Sequence, residues 1–279
     1  MLLVSLMSGL AVASETEQPA ETSNPLFPFC IETHDAKKRS IEQQVALAKE
    51  LGFSGLGHLW LENVPERLKA LDEAGLKLYW IHTTVNVNPD KRPFDPKLME
   101  VLPLLKDRGV LLSINAVGAK PSDESVDPRA VEIFRQIADE AAKHGVRVVL
   151  YHHRNDWTER FSDCVRVVKK IDRPNVGVMF NLCHWLLKGK EEELEALLKS
   201  GKPYLHCVAI NGADRPAEVQ SGKGNFIQPL GDGTFDVGKM LKMLNAQDYK
   251  GPIGLMCWGI KGDARDHLTR SMAAWKKMQ

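Results

Sequence analysis

Apolar and polar positions repeat along this chain in a fixed unit. Residues Ile41 to Leu51 carry apolar side chains at helical spacing and stop at Gly52, and the strand-like run FSGLGHLW follows at once. Pro65 to Ala74 repeats the pattern, with Gly75 before LKLYWIHTTVNV. Pro96 to Arg108 does so again, with Gly109 before VLLSINAVG, and Pro128 to His144 a fourth time, with Gly145 before VRVVLYHH. Each unit predicts an amphipathic helix that ends at a glycine and passes directly into a buried strand. Two of the helices are preceded by Asp-Pro, at Asp95-Pro96 and Asp127-Pro128, where Asp can cap and Pro can take the first helical position.

The rhythm continues to the end. Helices are expected over Trp157–Ile171, Glu191–Lys199, Val237–Leu244 and Ala264–Lys277. Strands are expected over Asn175–Asn181, Tyr204–Asn211 and Pro252–Trp258, with FPFCIETH from Phe27 as the first strand. Eight continuous apolar strands separated by helices imply a parallel sheet buried on both faces. The chain length of 279 residues suits one domain, so the expected fold is α/β, a single-domain (β/α)8 TIM barrel over residues 27–279. An open doubly wound sheet is the alternative. No GxGxxG or Walker-type loop follows an early strand, which argues against the nucleotide-binding versions of that sheet.

Composition adds little to the fold and something to the setting. Hydrophobic residues make up 43% of the chain, enough for a large core, and the net charge of +1 gives no global attraction to nucleic acid or anionic membrane. Residues 1–13, MLLVSLMSGLAVA, form an apolar run ending in Ala-Val-Ala and read as a signal peptide for export. The run is too short for a stable membrane anchor. Residues 14–26 are polar and Pro-rich and read as a disordered leader. The five cysteines include no CxxC pair, and four of them sit in apolar runs, so buried thiols are expected rather than a disulfide framework.

A TIM barrel carries its chemistry at the C-terminal ends of its strands. The polar residues expected there are Glu32 and His34, His58 and Trp60, His82 and Thr84, Asn115, Tyr151 with His152 and His153, Asn181 and His184, His206 and Asn211, and Trp258. Seven of the nine histidines fall in this set, while His144 and His267 lie in helices. Such a concentration suits acid–base chemistry, metal binding or a hydroxyl-rich ligand. Two loops, Val87–Pro96 and Gly212–Gly233, are placed to cover the mouth. The second region carries Arg215 and Lys223, with Lys202 just upstream, a conceivable phosphate site.

Several motifs give the chain a family resemblance. Asn181-Leu182-Cys183-His184 is similar to D-x-x-H, Tyr151-His152-His153 to E-x-H, HCVAINGAD from His206 to H-x-H-x-x-D, and Gly231-Asp-Gly-Thr-Phe-Asp to the entry of the eighth helix, in the xylose isomerase-like TIM-barrel superfamily. The resemblance covers nearly the whole chain after Phe27. It implies an isomerase or epimerase acting on a small sugar or sugar derivative. On that reading His153, His184 and Tyr151 are catalytic, and Glu32, His58, His82, Asn115, Asn181, His206, Asn211 and Trp258 bind substrate. Aromatic faces such as Trp60 and Trp258 suit stacking on a sugar ring; Trp80 and Trp185 suit core packing.

The resemblance also implies a divalent metal held by carboxylates on strands five, six and eight and a histidine on strand seven. Tyr151 and Asn181 occupy the first two positions. The strand-seven position falls near Val208, and Cys257 or Trp258 stands at the last. Neutral oxygens do not replace carboxylates for a hard dication. A site for zinc, manganese or magnesium would have to use His153, Asn181 and His184, with His58 or His82. The alternative function is a carbohydrate-binding barrel without catalysis, or a sugar lyase. A DNA-repair branch of the superfamily would use His58 and His82 as zinc ligands, but the absence of net basic charge speaks against a nucleic-acid partner. Oligomeric state is left open.

Overall fold

The computed structural model describes residues 24–279. The expected signal peptide and nearly all of the leader lie outside the described residues. The barrel starts slightly before the expected boundary: Leu26 opens the first strand, and the Asn24 amide donates to Tyr249 O and Gly251 O at 3.1 and 2.8 Å. No described helix is long and apolar enough to cross a membrane.

Eight parallel strands follow in order: β1 Leu26–Phe29, β2 Gly55–Leu59, β3 Lys77–Asn86, β4 Leu111–Val117, β5 Arg147–Tyr151, β6 Val176–Asn181, β7 Leu205–Ile210 and β8 Ile253–Met256. The helices are α1 Ile41–Glu50, α2 Val64–Ala74, α3 Lys97–Val101, α4 Asp127–Lys143, α5 Phe161–Ile171, α6 Leu182–Trp185, α7 Leu194–Gly201, α8 Pro216–Gln220, α9 Val237–Asn245 and α10 Ala264–Met278. The ladders run β1-β8-β7-β6-β5-β4-β3-β2, which closes a TIM barrel except at the seam between β1 and β2. There Ser54 N–H donates to Leu26 O at 3.0 Å. Gly57 lets the two strands approach, since a Cβ on it would stand 2.5 Å from the Phe29 Cβ.

The glycine stops behave as the sequence predicts. Gly52, Gly75, Gly109 and Gly145 all have φ between 66 and 83°, the left-handed conformation that ends a helix at little cost only for glycine. Two helices differ, one at its end and one at its start. Pro103 lacks an N–H, and the helix expected over Pro96–Arg108 gives way after Val101 to a 3-10 turn, Leu102–Leu105. Asp127 does not cap α4. A short turn capped by Asp123 leads into the helix, and Asp127 is buried against Arg166 (3.0 Å) and Lys170 (2.5 Å). The short helices α6 and α8 are not visible in the apolar pattern.

Two apolar layers result. The barrel interior is filled by Phe27, Phe29, Trp80, Leu111, Val149, Met179, Cys207, Ala209 and Met256. Outward-facing strand residues such as Ile81, Leu112, Val148, Phe180 and Val208 pack against the helices. Each fully buried aromatic or aliphatic side chain contributes roughly 1.5–3 kcal/mol relative to exposure. All five cysteines are free and buried.

Candidate active site

Side chains alternate across a strand, so neighbouring rim residues go to opposite faces. That parity sorts the expected site residues. Tyr151 and His153 face the barrel axis, and Asn181, Cys183 and His184 deliver the end of β6 beside them. Tyr151, His153 and His184 border a cavity of about 260 Å³ together with Phe29, Cys30, Leu59, Trp60, Trp80, His82, Asn115, Arg154, Phe226, Ile227, Met256 and Trp258. Asn181 itself lies beneath the floor, fully buried.

Several expected site residues lie elsewhere. His58 points toward the helices: its Nε2 donates to Glu62 O at 2.6 Å and its Nδ1 accepts from Arg67 Nε at 3.2 Å. It therefore cannot form a metal pair with His82. His152 also faces outward, where its Nε2 accepts the Asn181 N–H at 2.9 Å. His206 is at the wrong end of β7. It is the extra residue of a bulge, since Val178 pairs with Leu205 and Met179 with Cys207. Its ring fits because Gly177 has no side chain; a Cβ there would stand 2.5 Å from His206 Nδ1. Asn211 braces the covering loop by donating to Gly212 O and Phe226 O at 2.7 and 2.9 Å. Glu32 sits in a 3-10 turn outside the cavity wall, its carboxyl pKa raised by burial. His34 supports Trp258 from outside, edge to face at 5.7 Å.

The loop after β7 covers the mouth through Phe226 and Ile227, as expected. The Val87–Pro96 loop does not reach it; Arg92–Asp95 border a separate surface hollow with Thr84 and Val117. The cation of the cavity is Arg154, not the expected trio. Arg154 lies 5.3 Å above the Phe226 ring, and among the described residues its guanidinium has no ion-pair partner.

A polar relay runs along one wall. Register sets Thr84 opposite Asn115. Thr84 Oγ1 donates to Asn115 Oδ1, and Asn115 Nδ2 donates to Asp156 Oδ2, both at 2.6 Å. Asp156 Oδ2 stands 3.3 Å from His153 Nδ1, off the hydrogen-bond line. The backbone holds this pair in a turn, with Asp156 N–H donating to His153 O at 3.1 Å and His153 N–H to Thr158 O at 3.0 Å. The His153 and His184 rings follow at 4.2 Å between centroids. Asp156 and Arg154 were not among the expected site residues. The available signal is the spacing His153-x-x-Asp156 in the loop after β5.

His82 and His184 are neutral. Burial, and then the neighbouring His153, hold His82 down at about 3. Burial also lowers His184 far below its ordinary value, with His153, His152 and Arg154 adding to the effect. Tyr151 is pushed well above the usual phenol range by burial. Its oxygen accepts from Asn181 Nδ2, which leaves its own proton for donation.

The family's divalent metal does not fit this donor set. The inward positions at the four metal-bearing strand ends are Tyr151, Asn181, Ala209 and Met256. Val208, where the strand-seven ligand was expected, faces the helices. Asn181 Oδ1 is already engaged by the Cys183 N–H at 3.2 Å and Sγ at 3.0 Å. No group of three His, Cys, Asp or Glu residues among the described residues could hold an ion.

Two residues on the cavity wall, Cys30 and Trp60, have φ of 60 and 70° at the ends of β1 and β2. Left-handed backbone at a bulky residue costs about 1–3 kcal/mol and is retained mainly where function fixes the geometry. Trp60 and Trp258 are each 46% exposed, and both flank the cavity.

Comparison with known proteins agrees with this architecture. The 3-keto-D-glucoside 4-epimerase of E. coli superposes with a TM-score of 0.72 at 17% identity, covering 92% of this chain and all of the other. A D-allulose 3-epimerase from Methylomonas sp. in complex with D-allulose gives 0.69 at 16% identity, over 93% and 98%. A protein of this fold from Mycobacterium smegmatis, in complex with magnesium, gives 0.67 at 15% identity, over 92% and 97%. At these identities the likeness is one of fold. An inosose dehydratase from Klebsiella pneumoniae is 29% identical over 147 residues, 48% of each chain, so the match spans about half the length of the curated relatives. The sequence profile of the xylose isomerase-like TIM barrel matches residues 45–278, and the chain belongs to that family.

Proposed function

We propose that the protein is an acid–base enzyme acting on a small keto sugar or keto polyol, moving a proton at the carbon next to the carbonyl. The observation that carries this reading is the His153–Asp156 pair on the wall of an apolar, aromatic cavity, with His184 beside it. Asp156 favours the tautomer with Nδ1 protonated, which leaves Nε2 of His153 free as the base and stabilises the imidazolium once it forms. Neutral His184 and Tyr151 supply hydrogen-bond donors to the oxygen that gains charge, and Arg154 adds a cation at the mouth.

The two imidazoles stand too close for a sugar ring to lie between them, so both serve one face of the substrate. One-face chemistry fits an isomerisation, or a dehydration in which the proton and hydroxyl leave from the same side. The substrates named for the relatives, an inosose and 3-keto and ketose sugars, all carry an acidic C–H beside a carbonyl, which supports the class. Export of the mature barrel, from the apolar segment at residues 1–13, belongs to the same proposal. The test is proton NMR in heavy water with an inosose, D-allulose and D-fructose. Loss of an alpha C–H signal with wild type, and its retention with His153→Ala, is expected; no exchange with any of them refutes the reading.

A second reading, sugar binding without turnover, is favoured by one observation: Tyr151, Asn181 and Met256 replace the three metal-binding carboxylates at the inward positions. Calorimetry that detects ketose binding without any exchange selects it.

A further inference from the structure

We infer that the cavity mouth is a stacking subsite for a second ring, so that the preferred ligand is a glycoside or disaccharide rather than a free monosaccharide. Among the described residues, large exposed hydrophobic side chains number three, and two of them, Trp60 and Trp258, border the cavity. Exposed indole at the entrance of a hydroxyl-binding site is the surface on which the C–H face of a pyranose packs.

Trp60 is held there at a conformational cost. Its φ of 70° belongs to glycine or asparagine, yet a tryptophan occupies it, with its ring 5.6 Å from that of His82. Trp258 is propped edge-on by His34, whose Nδ1 accepts the Gly259 N–H at 3.0 Å. Trp258 is therefore fixed from outside the cavity, and Trp60 by its backbone and by the His82 ring behind it. Deeper in the cavity, His82, Tyr151, His153 and His184 surround the place of the reacting ring. The exposed indoles border the same cavity as these mostly buried side chains, so a ring on the indoles continues the same ligand toward solvent.

This inference rests on the proposed function for the inner ring, and the two fail separately. Saturation-transfer NMR with glucose, cellobiose and maltose reads the outer subsite. Proton exchange on free D-fructose reads the inner chemistry. With wild type, protons of both rings of at least one disaccharide receive saturation, and that disaccharide binds at least tenfold more tightly than glucose. Trp60→Ala and Trp258→Ala each reduce that preference at least threefold, and Trp60→Phe retains most of it. Equal binding of mono- and disaccharide, binding of neither disaccharide, or a preference untouched by both alanine variants overturns the subsite. Exchange on the ketose alone, without disaccharide preference, keeps the proposed chemistry and discards the second ring.

Discussion

Mild acid should unfold this protein, and the reason lies in its histidines. His82 and His152 are buried and neutral, each held at about 3 chiefly by burial. His58 and His267 are held at about 4 for the same reason. In the unfolded chain each returns to the ordinary value of about 6.5. The folded values are depressed, so below about pH 6.5 the unfolded state binds protons that the folded state refuses, and stability falls as pH falls. Each such histidine loses about 2 kcal/mol between pH 7.5 and pH 5, from a slope of ~1.4 kcal/mol per proton per pH unit. His82 and His152 alone then remove about 4 kcal/mol, a large part of the 5–15 kcal/mol that holds a domain folded. With His58 and His267 the loss doubles to about 8 kcal/mol. Carboxylates of ordinary pKa contribute little in this window because they are ionised down to about pH 5, while Glu32, raised by burial, works in the opposite direction. The assay is urea unfolding followed by circular dichroism at half-unit steps from about pH 7.5 to pH 5. The expected slope below pH 6.5 is at least that of two protons, ~2.7 kcal/mol per pH unit, and His152→Gln lowers it by about one proton. A slope below that of one proton refutes the neutral, buried assignment.

Three further outcomes follow from particular contacts. Asp156→Asn keeps the fold but lowers kcat/KM about fivefold or more, the ~1 kcal/mol that a mostly buried carboxylate lends to a partly exposed imidazolium; unchanged steady-state kinetics contradict the pairing. Gly177→Ala forces a Cβ to 2.5 Å from both His206 Nδ1 and Tyr204 O, and costs about 1–3 kcal/mol in denaturant unfolding. Trp60→Gly is more stable than Trp60→Ala by about 1 kcal/mol or more in the same assay, because glycine accepts φ 70° without strain; equal stabilities argue that the backbone there is relaxed.

The glycine stops and apolar runs make the barrel readable from the sequence because each unit is a local pattern. Helix-to-strand passage at Gly52, Gly75, Gly109 and Gly145 needs no tertiary information. The site is only half readable. Strand ends mark the rim, but strands buried on both faces show no alternation from which to assign inward and outward residues. Hence His153 reaches the cavity and its neighbour His152 does not. The bulge at His206 shifts the parity of β7, and no local signal announces it. His58 looks like a rim ligand until Arg67, nine residues on, is seen to bind it. Asp156 and Arg154 enter through the turn after β5, whose direction the apolar pattern does not specify.

In the proposed reaction His153 removes a proton from a carbon beside a carbonyl without help from a carboxylate-bound metal. Its most direct test is proton exchange on a keto sugar in heavy water, run with chelator-treated wild type and with His153→Ala. Exchange is expected to survive chelation and to fall ~100-fold or more in the variant, the contribution of a general base. Exchange abolished by chelation and restored by a divalent ion, or equal in the two proteins, contradicts it.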